Sequence, residues 1–386
     1  MRVGVDGRYI QDHFPGIGRY TYSLINALAS LATDDTLVVL YNPALPNSRY
    51  DLTALTRYPN VELVRLDVPT FSLAEQLRLP SVISRLSCDV FHSPYYVKPY
   101  RLPVLSILTL YDVIPTRYPA YYPRRTRLLI RWLHRLALRT AAHCIAISET
   151  TRADFVRYYG LAPQRITAIP LAADEHFRPA EPAAIAAVRG RYSLPPHYVL
   201  YLGSNKPHKN LPRLIDAFSR ITHHASQITH HASRFTLVIA GAWDPRYPEP
   251  RQRAEVSGLE SVVRFLGPVP EGDLPALYSG AIAFVFPSLY EGFGLPVLEA
   301  MSCGVPVACS NTSSLPEIVG QAALTFDPAD VEDMAAALSR LLSDAGLRAE
   351  LRQRGLEWAQ RFSWAETARR TLEVYHGLCV LAGRKV

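Results

Sequence analysis

Short runs of β-branched and aromatic residues alternate along the chain with longer stretches whose apolar positions recur every three or four residues. In the first half RVGV (2–5), TLVVLY (36–41), VELVRL (61–66), VLSILTL (104–110) and HCIAIS (143–148) read as strands, and GRYTYSLINALASLA (18–32) as a helix between the first two. The alternation stops in LAADEHFRPAEPAA (171–184), whose Pro and Ala content reads as a linker. It restarts with YVLYLG (198–203), FTLVIAG (235–241), VVRFLG (262–267), AIAFVFPS (281–288), VPVACS (305–310) and AALTF (322–326), and helices fill the chain from about 330. Near-continuous apolar strands alternating with helices predict parallel sheets covered on both faces. The expectation is two doubly wound, Rossmann-like α/β domains, residues 1–180 and 181–365, with a last helix at 366–386 packing back toward the first. In such sheets ligands bind beyond the carboxyl ends of the strands, so a central cleft that both domains face is the expected site.

Composition narrows this picture. Of 386 residues, 48 % are hydrophobic and 19 % charged, the balance of a globular chain too long for one core. No apolar run reaches the roughly 18 residues of a membrane span, and MRVGVDGRYI reads as a strand rather than a secretory leader. The five cysteines, Cys88, Cys144, Cys303, Cys309 and Cys379, are scattered without CxxC spacing, which favours a reducing, cytoplasmic setting over a disulfide framework or a zinc site.

Charge is uneven. Residues 1–180 hold 21 Lys and Arg against 14 Asp and Glu, a difference of seven that equals the net charge of the whole chain. Between Val113 and Ser148 there is no acid but seven arginines, Arg117, Arg124, Arg125, Arg127, Arg131, Arg135 and Arg139. The last four recur at every fourth position of a helix expected over 124–139, with Leu129, Trp132, Leu133 and Leu136 expected on its apolar face. Such a helix suits an anionic surface, a membrane or a phosphate-rich acceptor, and equally a solvated arginine face. Nucleic acid is disfavoured, because no recognition motif or interleaved stacking aromatics accompany the charge. The near-perfect repeat ITHHASQITHHAS (221–233) pairs histidines as a metal site would, but reads better as a duplicated loop insertion.

The candidate chemistry gathers where strands hand over to helices. In YLGSNKPHKNLPRLIDAF, Gly203 ends a strand, Lys206, His208 and Lys209 follow, and Asn210 is placed to cap a helix. A lysine ahead of a helix N-terminus adds a point charge to unsatisfied N–H groups and so suits an anion. EGFGLPVLEAM repeats the construction: Gly294 and Leu295 form the turn, Pro296 starts a helix, and Glu291 and Glu299 stand on either side. FPGIGRYTYSLINAL adds a third such loop, with Gly16 and Gly18 at the start of the first helix. Three anion-binding loops without a DxD motif suit a diphosphate held without metal, and the two acids then suit hydroxyls on either side of it. Their plain reading is favourable helix-end electrostatics, about 0.3–1 kcal/mol each. His92, at a strand end, reads as an acceptor-cleft residue or a structural histidine, and Ser148 as the cap of the next helix.

These segments resemble the retaining glycosyltransferases of family 4, which have the GT-B fold. The resemblance rests on EGFGLPVLEAMSCGVPV and also on GVDGRYIQDHFPGIGRYTYSLINAL, YDVIPTRYP, AISETTRADF, YLGSNKPHKNL, VRFLGPVPEGDLPALYSGA, SLPEIVGQAALTFDP and FSWAETARRTLEVY, all in the family's order. The branch it is most similar to contains mannosyltransferases of polysaccharide and O-antigen assembly. The resemblance implies that Glu291 contacts donor-sugar hydroxyls, Glu299 the ribose, and Lys209 the diphosphate with Ser204 and Lys206 assisting. It gives the amides near Gly16 and Gly18, and those of Gly294 and Leu295, to the phosphates, and Val269 to the base pocket. Two positions depart from the family pattern. Tyr111-Asp112 stands where relatives have His-Asp beside the reacting carbon, and His208 replaces an arginine, making a weaker, pH-dependent phosphate partner.

The implied catalytic set is therefore Glu291, Lys209, Tyr111 and Asp112, with no metal and no cofactor. The expected reaction is metal-independent transfer of a hexose to a glycan or lipid-linked acceptor, with the protein cytoplasmic or peripheral to the inner face of a membrane. The nucleotide-sugar is GDP-mannose on the branch resemblance and UDP-glucose next. A sugar-nucleotide epimerase and a non-catalytic nucleotide-sugar binder are the alternative readings.

Overall fold

The computed structural model describes residues 1–228 and 235–383. The chain divides into two compact units, Met1–Ala172 with the segment from Ser363 onward, and Ala173–Phe362.

The first unit is built on a seven-stranded, all-parallel sheet of β1 (Arg2–Asp6), β2 (Thr36–Tyr41), β3 (Val61–Arg65), β4 (Val90–Ser93), β5 (Leu105–Leu110), β6 (His143–Ala146) and β7 (Ile166–Ala168), ordered 3-2-1-4-5-6-7. The register sets Val3 beside Leu37 and Val5 beside both Val39 and His92. In β1, β2, β4, β5 and β6 all but the strand ends are buried, because helices cover both faces, whereas the edge strand β3 exposes Glu62; this is why TLVVLY carries no polar alternation. β7 has no counterpart in the sequence reading, since three residues of ITA carry too short a pattern to separate from loop. The helix expected at 18–32 spans Pro15–Leu31, with its proline in the first turn, where the missing N–H costs nothing.

The second unit has a six-stranded parallel sheet of β8 (Tyr198–Leu202), β9 (Thr236–Ala240), β10 (Val263–Gly267), β11 (Ala283–Phe286), β12 (Val307–Ser310) and β13 (Leu324–Phe326), ordered 10-9-8-11-12-13. The first copy of the 221–233 repeat, expected as loop, continues the helix Leu211–Ile228, and the rest lies outside the described residues.

The chain passes between units at residue 172, earlier than the expected 180. The Pro/Ala-rich stretch is docked on the second unit and is not a free linker: Phe177 is buried against the Tyr278 ring, and the Ala180 N–H donates to Ser279 Oγ at 3.0 Å. The chain returns at Ser363, whose hydroxyl caps the helix Trp364–Leu381 by accepting from Glu366 N–H at 3.1 Å. That helix belongs to the first unit. Thr367 Oγ1 donates to the Pro170 carbonyl, Arg370 to that of Ala168, and Trp364 packs on Tyr20.

One charged cluster is fully interior. Arg8 pairs in two-pronged fashion with Asp6 at 2.8 and 2.7 Å, and its Nη2 also reaches Glu75 Oε1 at 2.6 Å. Burial, with the Asp6 charge adding to it and Arg8 opposing it, lifts the Glu75 carboxyl to about 7.

The basic helix spans Arg124–Thr140, and its buried side is only partly the expected one. His134, Ala137 and Leu138 face inward with Leu133 and Leu136 half-buried beside them, whereas Leu129 and Trp132 are exposed together with Leu128. The cause is His134, which hydrogen-bonds the Tyr159 hydroxyl at 3.0 Å, packs on the Tyr96 and Phe155 rings, and so turns that side in. Among the described residues no helix is long and apolar enough to cross a membrane, and all five cysteines are buried and none is in a disulfide.

Candidate functional site

In the second unit the winding direction reverses between β8 and β11, so their carboxyl ends splay apart and open a crevice. The loops that leave these two strands carry most of the residues singled out above. After β8 the chain passes Gly203 and Ser204, both half-buried, then exposed Lys206, then a short turn at Pro207–Lys209. Asn205 fixes this loop to the one after β9: its amide nitrogen donates to the carbonyls of Asp244 and Tyr247 at 2.8 and 2.7 Å, and its oxygen accepts the Asp244 N–H at 2.7 Å.

Asn210 was expected to cap the following helix. It adopts instead a left-handed φ of 60° and sends its amide nitrogen to the carbonyls of Pro287 and Pro328 at 3.1 and 2.8 Å. It thereby clamps the loop after β8 to the end of β11. Leu289 N–H adds a backbone bond to the His208 carbonyl at 2.8 Å.

The clamp brings Lys209 to Glu291. Lys209 Nζ lies 2.6 Å from Glu291 Oε1 and 5.1 Å from the centre of the Phe286 ring, with the two side chains only 15 % and 13 % exposed. Glu291 is held in turn by its backbone: its N–H donates to Ser313 Oγ at 3.0 Å, and its carbonyl accepts from Ser314 Oγ at 3.0 Å. A lysine and a glutamate 82 residues apart are thus fixed as a pair at the point where the topology opens the sheet.

Beyond Glu291, Gly294 turns the chain at φ 108°, and a methyl there would also lie 2.6 Å from Leu315 Cδ2. Both the conformation and the packing demand glycine. The helix Leu295–Ser302 follows without a side-chain cap, and Pro296 is its second residue rather than its first. Glu299, on this helix, is buried and accepts from the Tyr278 hydroxyl at 2.8 Å. Val269 is half-buried just past β10.

His208 is the third basic residue of the loop. It is buried, and burial first, then Lys209 and Lys206, holds its imidazole down to about 3. It is therefore neutral here, and the cations of the loop are the two lysines. Among the described residues no three His, Cys, Asp or Glu side chains are grouped as a metal ion requires.

The remaining predicted residues lie in the first unit. Gly16 and Gly18 occupy the first turn of Pro15–Leu31; Gly18 is packed against the Tyr9 backbone, while a methyl at Gly16 would touch nothing. One turn on, Tyr20 meets the edge of Tyr111 with ring centres 5.8 Å apart. The Tyr111 hydroxyl oxygen is buried without a hydrogen-bond partner, and burial pushes it well above the usual phenol range. Asp112 Oδ1 accepts the Ile114 N–H at 2.9 Å, which sets the short turn that follows β5.

His92 is structural. It bridges Thr109 Oγ1 at 2.7 Å and the Tyr375 hydroxyl at 2.6 Å, and burial alone takes it down to about 3. Ser148 caps its helix by accepting Thr151 N–H at 3.0 Å. Sequence reasoning missed Asn205, Asn210, Ser313 and Ser314 as the scaffold of the pair; only the Asn and Ser content of those loops signalled them.

Two family descriptions cover most of the chain. Residues 15–177 match Glycosyltransferase Family 4 and residues 191–358 match Glycosyl transferases group 1. The O-antigen chain mannosyltransferase B of Escherichia coli is 32 % identical over 374 residues, 93 % of this chain and 95 % of that protein. The chain belongs to glycosyltransferase family 4.

Solved structures agree on architecture. Sucrose-phosphate synthase from Thermosynechococcus elongatus aligns with a TM-score of 0.76 at 21 % identity, over 99 % of this chain and 100 % of that one. Anabaena HepE, solved with UDP and glucose, gives 0.73 at 20 % identity over 97 % and 99 %. Both likenesses establish the GT-B fold. The protein is therefore a glycosyltransferase of glycan assembly.

Proposed function

We propose that this glycosyltransferase moves a hexose, with retention of configuration and without metal, from a nucleotide-sugar to a glycan or lipid-linked acceptor. The Lys209–Glu291 pair at the carboxyl ends of β8 and β11 carries the reading. Transfer breaks the bond between the sugar's anomeric carbon and the diphosphate, so negative charge grows on the leaving phosphate while the sugar becomes oxocarbenium-like. Lys209, with Ser204, Lys206 and the amides of Gly294 and Leu295, stabilises the phosphate; Glu291 takes sugar hydroxyls; Glu299, oriented by Tyr278, takes the ribose; Val269 backs the base. The acceptor oxygen attacks the face the phosphate leaves, and its proton passes to the departing phosphate oxygen. In the first unit the partnerless Tyr111 hydroxyl suits a sugar hydroxyl, and the open position at Gly16 lets a ligand approach backbone amides.

GDP-mannose is the favoured donor, supported by the mannosyltransferase relative; UDP-glucose is second, supported by the UDP and glucose bound to HepE. The test is nucleoside diphosphate release from a panel of GDP- and UDP-sugars in EDTA, by wild type, Lys209→Ala and Glu291→Ala. Release from one donor, lost in both variants, is expected. A requirement for added metal, or full release by Lys209→Ala, would sink the reading.

The same proposal assigns the outward face of Arg124–Thr140 to an anionic bilayer, making the protein peripheral to the cytoplasmic side of a membrane and its acceptor lipid-linked. Leu128 and Trp132 are 60 % and 59 % exposed between Arg125, Arg131, Arg135 and Arg139, an apolar wedge in a cationic field. Co-sedimentation with phosphatidylglycerol vesicles should occur at low salt, and weaken with added salt and in Trp132→Ala. Equal binding to neutral phosphatidylcholine vesicles would count against it.

A further inference from the structure

The first unit has a switch point of its own, between β1 and β4. The residues there are aromatic, and no role assigned above uses them. Tyr9 follows β1, Tyr95 follows β4, Phe14 precedes the helix Pro15–Leu31, and Phe71 precedes the helix Leu73–Arg85. All six pairs among these four rings are in contact, with centres 5.4 to 6.3 Å apart. Tyr9 is the buried floor, anchored by its hydroxyl to the Val97 carbonyl; Phe14 and Tyr95 are half-buried; Phe71 is 50 % exposed.

Phe71 is held there against its own preferences. Its φ is 60°, a left-handed conformation that is an outlier for a bulky side chain. Its N–H donates to Glu75 Oε2 at 3.1 Å, and the other Glu75 oxygen is taken by buried Arg8, itself fixed by Asp6. A fully buried ion cluster thus holds a strained backbone that keeps an aromatic ring in water. Hydrophobic burial does not explain this arrangement, since it would turn the ring inward. A ligand that covers the ring does.

We infer that Phe71, with Phe14 and Tyr95, is a stacking platform for a pyranose ring of the acceptor glycan. A pyranose presents an apolar C–H face to an aromatic plane and keeps a rim of hydroxyls. The platform has a polar rim to match: His13 stands edge-on to Phe14 at 4.5 Å, and Tyr111 and Asp112 are electrostatic neighbours of Tyr95, with the Tyr111 hydroxyl lacking a partner. The inference rests on the glycosyltransferase reading for the identity of the ligand, but the site stands on the first unit alone.

The test is saturation-transfer NMR with methyl α-D-mannopyranoside and methyl α-D-glucopyranoside as probes, irradiating the protein's aromatic protons. Wild type should pass saturation to the ring C–H protons of at least one probe. Phe71→Ala should lower the signal roughly five- to tenfold, the contribution of one stacked ring. Phe71→Trp should retain it, which shows that ring chemistry and not folding is being read. Lys209→Ala should leave it unchanged. Undiminished transfer in Phe71→Ala, or none from wild type to either probe, would overturn the platform. A silent donor panel with intact, Phe71-dependent transfer would overturn the donor reading and leave the platform standing.

Discussion

The two units share a wound parallel sheet and a switch point, but they dress it with opposite chemistry. At the carboxyl ends of β8 and β11 the second unit sets a lysine–glutamate pair, with a second lysine exposed in the same loop. At those of β1 and β4 the first unit sets four aromatic rings, and it keeps its ions underneath, in the Asp6–Arg8–Glu75 cluster. The same topology therefore supplies a position and not a chemistry. A polyanionic leaving group needs charge at the opening. A neutral sugar needs a flat apolar surface with hydrogen bonds at the edge.

The largest expected effect breaks the comparison at the charged end. Lys209→Ala should lower transfer by roughly 10²–10³, the usual loss for one preorganised group that stabilises developing charge. Glu291→Ala should lower it comparably. Because the two side chains touch, the double variant should fall well short of the product of the single losses. Steady-state rates of the three variants measure this; simple multiplication would show that the pair does not act as a unit. Phe71→Ala, by contrast, should raise the acceptor KM and leave the donor KM alone.

The contrast also explains what could be read beforehand. Lys209, Gly294 and Glu299 sit in short contiguous motifs, because a strand–turn–helix junction is assembled from neighbours in the chain. The parallel sheets were legible for the same reason, since each buried strand is a local apolar run. The aromatic platform was not legible: residues 9, 14, 71 and 95 come from four separate segments, and only the sheet order brings them together. His92 bridges to residues 17 and 283 positions away, so its structural role had no local signature. The apolar side of the basic helix was misread in part, because Leu129 and Trp132 were assumed to face the core with Leu133 and Leu136. A histidine takes that place, for it finds Tyr159, Tyr96 and Phe155 there. Asn210 looked like a cap because the residue type favours caps, yet asparagine also tolerates a left-handed φ, which a clamp in this loop uses.

Glycines sharpen the comparison at an intermediate scale. Gly294→Ala must place a methyl against Leu315 in a conformation that L-residues avoid, and should destabilise the second unit by about 2–3 kcal/mol. Gly16→Ala meets no atom and adds helix propensity, so it should stabilise the first unit by up to about 1 kcal/mol while weakening ligand approach to the amides there. Urea unfolding combined with donor KM separates the two. A Gly16→Ala enzyme with unchanged KM would remove that turn from the substrate site.

The last effect, visible only as pH changes, concerns the ions beneath the platform. His92 and His134 are held down to about 3 by burial, against an ordinary 6.5, so they are neutral in the folded first unit and take protons when it unfolds. Their contribution to stability is present above pH 6.5 and is lost as pH falls toward 3, about 1 kcal/mol each by pH 5.5. Glu75, lifted to about 7 from 4.5, has the opposite sign: the folded unit holds its proton more tightly, so its contribution is present at low pH and is lost as pH rises from 4.5 to 7. On acidification from pH 7 to 5.5 the glutamate therefore offsets part of the histidine loss, leaving a net drop of about 1 kcal/mol. Glu75→Gln keeps a polar group for Arg8 and Phe71 but cannot take up the proton, so its drop over the same interval should be about 2–3 kcal/mol. Hydrogen exchange of the β5 amides, followed against pH in both proteins, reads this in the first unit alone. Identical profiles would mean that Glu75 stays ionised from pH 7 to 5.5 and that Arg8 carries both carboxylates. The platform would then rest on a fixed ion cluster insensitive to pH, as the lysine–glutamate pair of the second unit rests on its clamp.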